Sequence, residues 1–231
     1  MEKTTWQLWR HRIKKIFIWL FILQFVYIIF CKWFSPPITL TQIGSIIHGY
    51  GLKKDNISLD EMSPNIKLAV MASEDQQFPD HDGFDLKAIK LARKYNQKHP
   101  NKVRGASTIS QQVAKNVFLW QGRSYFRKGL EVYFTFMIEL LWSKKQILET
   151  YLNVAETGKG VFGVQAAAKT FFNKDAVNLS ASEAAMIAAS LPNPKKYTVK
   201  PVSKYVSYRY GNIMRQMNNL SGDPDIQELI K

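Results

Sequence analysis

A glutamate followed at once by an aspartate, Glu74-Asp75, stands where a helical pattern runs out, and this placement is the first sign of chemistry in the chain. Ser63 and Pro64 read as an N-cap and a proline at the first helical position, and Ile66, Ala69, Val70 and Ser73 then recur at helical spacing. Glu74 falls near the C-terminus of that helix, where the macrodipole disfavours a carboxylate by about 0.3–1 kcal/mol and so favours proton uptake. A carboxyl so placed suits a general acid or base. A second carboxylate, Glu131, interrupts the run Tyr125 to Trp142, in which Phe126, Leu130, Val132, Phe134, Phe136, Ile138 and Leu140 leave hardly any polar face. A carboxylate among bulky apolar side chains needs a partner or a function. Two such carboxylates are the usual apparatus for making or breaking a glycosidic bond. Lys115, Arg123, Arg127 and Lys128 lie between or beside them. That basic set is out of place in simple sugar hydrolysis and suits a phosphate or pyrophosphate group.

Helices must position these groups. Asp85 caps a segment carrying Leu86, Ile89, Ala92 and Arg93, and Thr108 with Gln111, Ser143 with Gln146 and Ser180 with Glu183 have the spacing of capping boxes. The run Ala184 to Leu191 is stopped by Pro192 and Pro194, and Ser203 to about Asn219 reads as a last helix ended by Ser221-Gly222. No segment alternates as a strand, and nothing recurs at a fixed period. The stretch Tyr125 to Trp142 is equally compatible with a central core helix and with a surface that meets lipid.

Ahead of this helical body, Ile16 to Cys31 is apolar except for Gln24 and extends to Phe34 if Lys32 snorkels, a length suited to one transmembrane helix. Arg10, Arg12, Lys14 and Lys15 on its N-terminal side keep the N-terminus in the cytoplasm and send the rest across. Lys32-Trp33-Phe34-Ser35-Pro36-Pro37 lacks a small-x-small processing site, so the segment reads as an uncleaved anchor. The chain thus divides into a basic cytoplasmic flank (1–15), a transmembrane anchor (16–34), a connector with little regular pattern (35–59) and one mainly helical catalytic domain (60–231). Cys31 is the only cysteine, so the domain depends on its core rather than on a disulfide. The net charge of +14 is only partly explained by the N-terminal flank. It implies an anionic partner, and export leaves phospholipid head groups, an acidic polymer or a phosphorylated substrate rather than nucleic acid. His11, His48, His81 and His99 show no metal-ligand spacing.

The ordered motifs closely resemble those of the monofunctional biosynthetic peptidoglycan transglycosylases, single-domain peptidoglycan glycosyltransferases of glycosyltransferase family 51. The matching runs are Glu74-Asp75 through His81, Gly83 and Asp85; Gly105 to Gln112 with Lys115-Asn116; Arg127-Lys128 with Glu131 and Glu139; Ile147-Leu148-Glu149 with Tyr151-Leu152-Asn153; and Glu183-Ala184-Ala185 with Pro192-Asn193-Pro194. The resemblance implies a mainly α, lysozyme-like, two-lobed domain whose smaller lobe faces the membrane. It implies that Glu74 takes the proton from the 4-hydroxyl of the acceptor sugar of lipid II. That oxygen attacks the anomeric carbon of the lipid-linked glycan strand, and undecaprenyl pyrophosphate leaves with inversion. Lys115, Arg123, Arg127 and Lys128 match positions that contact the donor phosphates, while Ser107, Gln111 and Gln112 match positions lining the cleft. Asp75, His81 and Asn153 take supporting places. Glu131 matches the second essential acid; whether it works through a divalent cation, magnesium or manganese, or by orienting its basic neighbours stays open. The resemblance implies no other cofactor. Leu130 departs from relatives that carry a further lysine there, which shifts pyrophosphate neutralisation toward the arginines. The implied partners are lipid II, the lipid-linked strand, the membrane and other cell-wall synthesis and division proteins. The implied location is the inner membrane, single-pass, with the catalytic domain periplasmic. Two other readings use the same residues: a lysozyme-like peptidoglycan-cleaving enzyme and a non-catalytic membrane-anchored scaffold.

Overall fold

The computed structural model describes residues 5–100, 104–122 and 124–231. They divide into two compact units at the boundary between Ser35 and Pro36. The first unit is one helix, α1 (Thr5–Trp33). Its segment Trp9–Trp33 has 25 residues and mean hydropathy 2.1, which is long and apolar enough to cross a membrane. Phe17, Trp19, Leu20, Phe21 and Leu23 are each more than half exposed, so apolar groups point in several directions around the helix.

The second unit is built from α2 (Leu40–Ile47), β1 (Lys53–Lys54), α3 (Pro64–Glu74), α4 (Leu86–Lys98), α5 (Ile109–Phe118), α6 (Tyr125–Leu141) and α7 (Lys144–Val154). It continues through β2 (Glu156–Gly158), β3 (Val161–Phe162), α8 (Val164–Phe172), α9 (Ala181–Ser190), α10 (Lys204–Leu220) and α11 (Pro224–Ile230). The expected caps are made. Ser63 accepts from the Asn65 amide, Asp85 from Ala88, and both halves of the capping boxes at Thr108/Gln111, Ser143/Gln146 and Ser180/Glu183 are closed. Each cap satisfies amides that would otherwise be orphaned at a helix start, worth about 1 kcal/mol apiece.

Every residue of α3 from Ile66 to Ala72 is buried. The helix packs against α9 and α10, and α9 presents Ala184, Ala185, Ala188 and Ala189, all fully buried and small enough for close backbone approach. Lys67, only 2% exposed, donates from Nζ to the carbonyl of Ile230 at 3.1 Å, so α11 is tied to the buried helix. Beside this core, α5 packs against α6 and α7, with the rings of Phe118 and Phe134 stacked at 4.8 Å.

The segment expected as a plain connector is instead structured. Thr39 and Gln42 close a capping box on α2, and Lys53 and Lys54 pair in parallel with Val161 and Phe162. Lys54 Nζ donates to the carbonyls of Pro36 and Pro37, and the Leu59 amide donates to Glu149 Oε2 at 2.9 Å. Val161, Phe162 and Glu149 lie 90 or more residues away along the chain, and no local periodicity announces them. The three-stranded sheet, in the order β1-β3-β2, was likewise not expected, because two- and three-residue strands are too short to show alternation.

The helix α6 is apolar on the outside. Its buried positions are Arg127, Glu131, Thr135 and Ile138, whereas Tyr125, Phe126, Val132, Phe136 and Leu140 are 99, 72, 45, 58 and 66% exposed. Of the two expectations for this stretch, the lipid-touching surface fits this inverted arrangement.

Candidate active site

Glu74 is the last residue of α3, as its spacing from Ser63 predicts, and it leaves the buried core there for a cleft. Its carboxylate is held at both oxygens. Oε1 accepts from Ser73 Oγ at 2.9 Å and lies 3.8 Å from Arg209 Nη2 on α10; Oε2 accepts from Gln112 Nε2 at 3.0 Å on α5. Gln112 is held in turn by Tyr151, whose hydroxyl donates to Gln112 Oε1 at 3.1 Å. Burial, reinforced by the charges of Glu74 and Asp75, pushes the Tyr151 phenol well above its ordinary pKa, so it remains a donor. A carboxylate offers about four lone-pair sites, and these contacts leave Oε2 able to accept one further hydrogen.

Three of the four predicted cations gather around the second acid. Glu131 is 3% exposed; Oε2 accepts from Arg127 Nη1 at 2.7 Å and Oε1 from Lys128 Nζ at 2.5 Å. Arg127 is itself buried, and its Nε has no hydrogen-bond partner among the described residues. Lys115, on α5, feels Glu131, Arg127, Lys128 and Glu74 together, so it lies electrostatically between the two acids. Its ammonium pKa is lowered, first by burial and then by the cations Arg127 and Lys128, against the opposing pull of the carboxylates. The fourth cation, Arg123, lies outside the described residues.

Glu74 opens on a cavity of about 690 Å³ that Asp85, Ser107 and Arg209 also line. An adjoining cavity of about 540 Å³ is lined by Asn116, Glu156, Asn193 and Lys195 among others. Gln112, Lys115, Leu191 and Pro192 border both, so the two are halves of one cleft that meet at Gln112 and Lys115. Ser107 and Gln112 line this cleft as expected. Gln111 does not: it is 4% exposed and its side-chain oxygen accepts from the Thr108 amide at 3.1 Å, so its polarity serves the cap. Glu131 also lies behind the cleft, outside the lining of either half.

Asp75, His81 and Asn153 hold the frame. Asp75 accepts from His81 Nε2 at 3.0 Å and from the Ile109 amide at 2.9 Å, joining the end of α3 to the start of α5. Burial alone would lower the His81 pKa, but the hydrogen bond and charge of Asp75 outweigh it and the net shift is upward. The Gly83 amide donates to His81 Nδ1 at 3.1 Å, and the Gly83 carbonyl accepts from Thr108 Oγ1 at 2.7 Å. Gly83 is obligatory there: its φ is +85°, and a Cβ would stand 2.7 Å from Thr135 Cγ2. Glu139 pins the same loop by accepting from Ser110 and from Lys144, which also donates to the His81 carbonyl. Asn153 exchanges two hydrogen bonds with the backbone of Ile57, at 3.1 and 2.9 Å.

Sequence reading missed Arg209, Ser73 and the positioning role of Tyr151. Tyr151 stands in a quoted motif, but an apolar burial pattern hides a hydroxyl contact. Arg209 is one of many cations on a polar helix and lies 135 residues from Glu74, so only the packing of α10 on α3 reveals it.

Comparison with known proteins bears on the whole domain. A family model described as Transglycosylase matches residues 41–218, beginning inside α2 and ending inside α10. A protein named biosynthetic peptidoglycan transglycosylase from Yersinia pseudotuberculosis serotype O:3 (strain YPIII) is 54% identical over 198 residues, spanning 84% of this chain and 82% of the relative. One of the same name from Yersinia pestis (strain Pestoides F) matches to the same extent.

Proposed function

The chain belongs to the transglycosylase family, and from that premise we propose that it polymerises peptidoglycan glycan strands by glycosyl transfer between lipid-linked substrates. The acceptor is lipid II and the donor is the growing lipid-linked strand. In this reaction Glu74 Oε2 takes the proton of the acceptor 4-hydroxyl as its oxygen bonds to the donor's anomeric carbon. The bond from that carbon to the pyrophosphate oxygen breaks, and undecaprenyl pyrophosphate departs with the electron pair. A leaving group of that kind needs positive charge rather than a proton. Lys115, Lys128, Arg127 and Arg123 are the cations we assign to it.

The observation that carries this reading is the contrast in surroundings between a carboxylate that lines the cleft and one that lies behind it. The carboxylate that opens into it is held by neutral donors and one arginine, and the three described cations of the basic set gather next to it around the other carboxylate. A glycan-cleaving enzyme would need a carboxylic acid free to protonate a sugar leaving group. Glu131 is poorly placed for that, since both of its oxygens are engaged by cations. Glu131 is already paired with Arg127 and Lys128, and no step is routed through a metal. Its part in the reaction is to orient Arg127 and Lys128. The apolar α1 and the outward apolar face of α6 support membrane anchoring with the catalytic unit on the extracytoplasmic side, where both polyprenyl-linked substrates share its surface.

Incubating the purified full chain with lipid II tests the proposal. Growth of a polymer that a muramidase digests is expected; shortening of preformed glycan without growth would favour the cleaving reading, and no change in either would overturn the polymerase proposal.

A further inference from the structure

Among the described residues, Glu156 is the one carboxylate lining the second half of the cleft, and its environment is anomalous. Its side chain is 13% exposed; Oε2 lies 3.7 Å from Lys195 Nζ and the Gly160 amide supports the carboxylate, while Oε1 is buried with no well-formed hydrogen bond among the described residues. Buried acceptors without partners are rare because each costs its full desolvation, and one that persists beside a cleft points to a ligand group that completes it. The backbone supports the same view. Glu156 sits opposite Phe162 and Gly158 opposite Val161, so the pairing of β2 with β3 is irregular between them. Such bulges re-aim a side chain, commonly beside active sites.

The neighbours define what would fit. Lys115, Lys195, Asn116 and Asn193 give this half-cleft donors suited to phosphate and carbonyl oxygens. Glu156 alone is acceptor-only when ionised. A saccharide bearing hydroxyl and acetamido N–H groups supplies the missing donor. We infer that Glu156 is a specificity residue that accepts a hydrogen bond from a hydroxyl or amide N–H of the saccharide bound in the half of the cleft beyond Gln112 and Lys115. This rests on the glycosyl-transfer reading above. Burial raises the Glu156 carboxyl pKa, against partial opposition from Lys195 and the Gly160 amide, as suits a group whose partner arrives with the substrate.

The inference separates from a structural role because the two predict opposite stability changes. Lys195 is 43% exposed and keeps the ring of Tyr50 at 5.1 Å, so losing Glu156 leaves no buried charge unpaired. Glu156→Met in the full chain is therefore expected to leave the thermal midpoint unchanged or raise it. The KM for lipid II should rise about tenfold or more, with a smaller change in kcat. Glu156→Gln, which keeps an acceptor oxygen, should recover most of the loss. A lowered midpoint that accounts for the lost activity, or an unchanged KM in a stable Glu156→Met protein, would overturn the inference while leaving glycosyl transfer intact. A wild-type chain that polymerises no lipid II would take both down.

Discussion

The two glutamates of the cleft region sit on helices built in opposite ways. α3 is buried along its length and delivers Glu74 only at its final residue, where the core ends and the cleft begins. α6 turns its apolar side outward and its polar side inward, so Glu131 lies mid-helix with Arg127 and Lys128 wrapped on it. A charge at the end of a buried helix can exchange protons with a substrate. One paired in the interior is held by its Coulomb partners and costs stability once they are lost. In the proposed reaction, the difference divides similar residue types near one cleft into a reacting group and a group that shapes the field.

The largest effect should come from the reacting side. Glu74→Gln keeps the shape but cannot take a proton, so turnover of lipid II should fall about 10² to 10⁴-fold with an unchanged thermal midpoint. Near-normal turnover would dissolve the contrast altogether.

On the other side, Glu131→Leu leaves the buried guanidinium of Arg127 unpaired and should cost about 3–5 kcal/mol of stability, read by denaturant unfolding. Adding Arg127→Met should restore much of that stability without restoring activity, because the cation is gone with the acid. A Glu131→Gln protein of wild-type stability and negligible turnover would move Glu131 to the reacting side and break the comparison.

Arg209 sharpens it further. With its guanidinium 3.0 Å from Ser73 Oγ and 3.8 Å from Glu74, Arg209→Met should lower kcat about tenfold with little change in KM, and Arg209→Lys should recover part of the loss. A change confined to KM would make Arg209 a substrate contact instead of a positioning residue.

The smallest effect concerns pH. Because the Lys115 ammonium is held below its ordinary pKa, its charge is lost at a lower pH than that of a free lysine. The alkaline limb of kcat/KM should fall below the ordinary lysine range, about 10.4, and Lys115→Arg should move it upward. An alkaline limb that ignores this substitution would take Lys115 out of the cradle.

Much of this was legible in the chain. Helix starts are local events: a Ser, Thr or Asp and the residue two or three positions on decide them, so the caps at Ser63, Asp85, Thr108, Ser143 and Ser180 could be read directly. The position of Glu74 at a helix end followed from the first of these. The length and apolarity of Trp9–Trp33 are likewise properties of composition alone. Glu74 and the basic set could be singled out as candidates because charged residues in apolar or helix-terminal settings are conspicuous in one dimension.

Tertiary structure decided the rest, because the deciding contacts join distant residues. Lys53 meets Val161, Leu59 meets Glu149, and Arg209 meets Ser73, pairings whose partners share no period or spacing. Gln111 and Gln112 are adjacent and chemically identical, yet one turns back to cap α5 and the other reaches Glu74, since successive helical residues point about 100° apart. The inward charge of α6 was undecidable from its sequence for the same reason. Whether an apolar face lies inside or outside depends on what packs against it, and here Arg127, Glu131 and Thr135 lie inside, with Glu131 paired to Arg127 and Lys128.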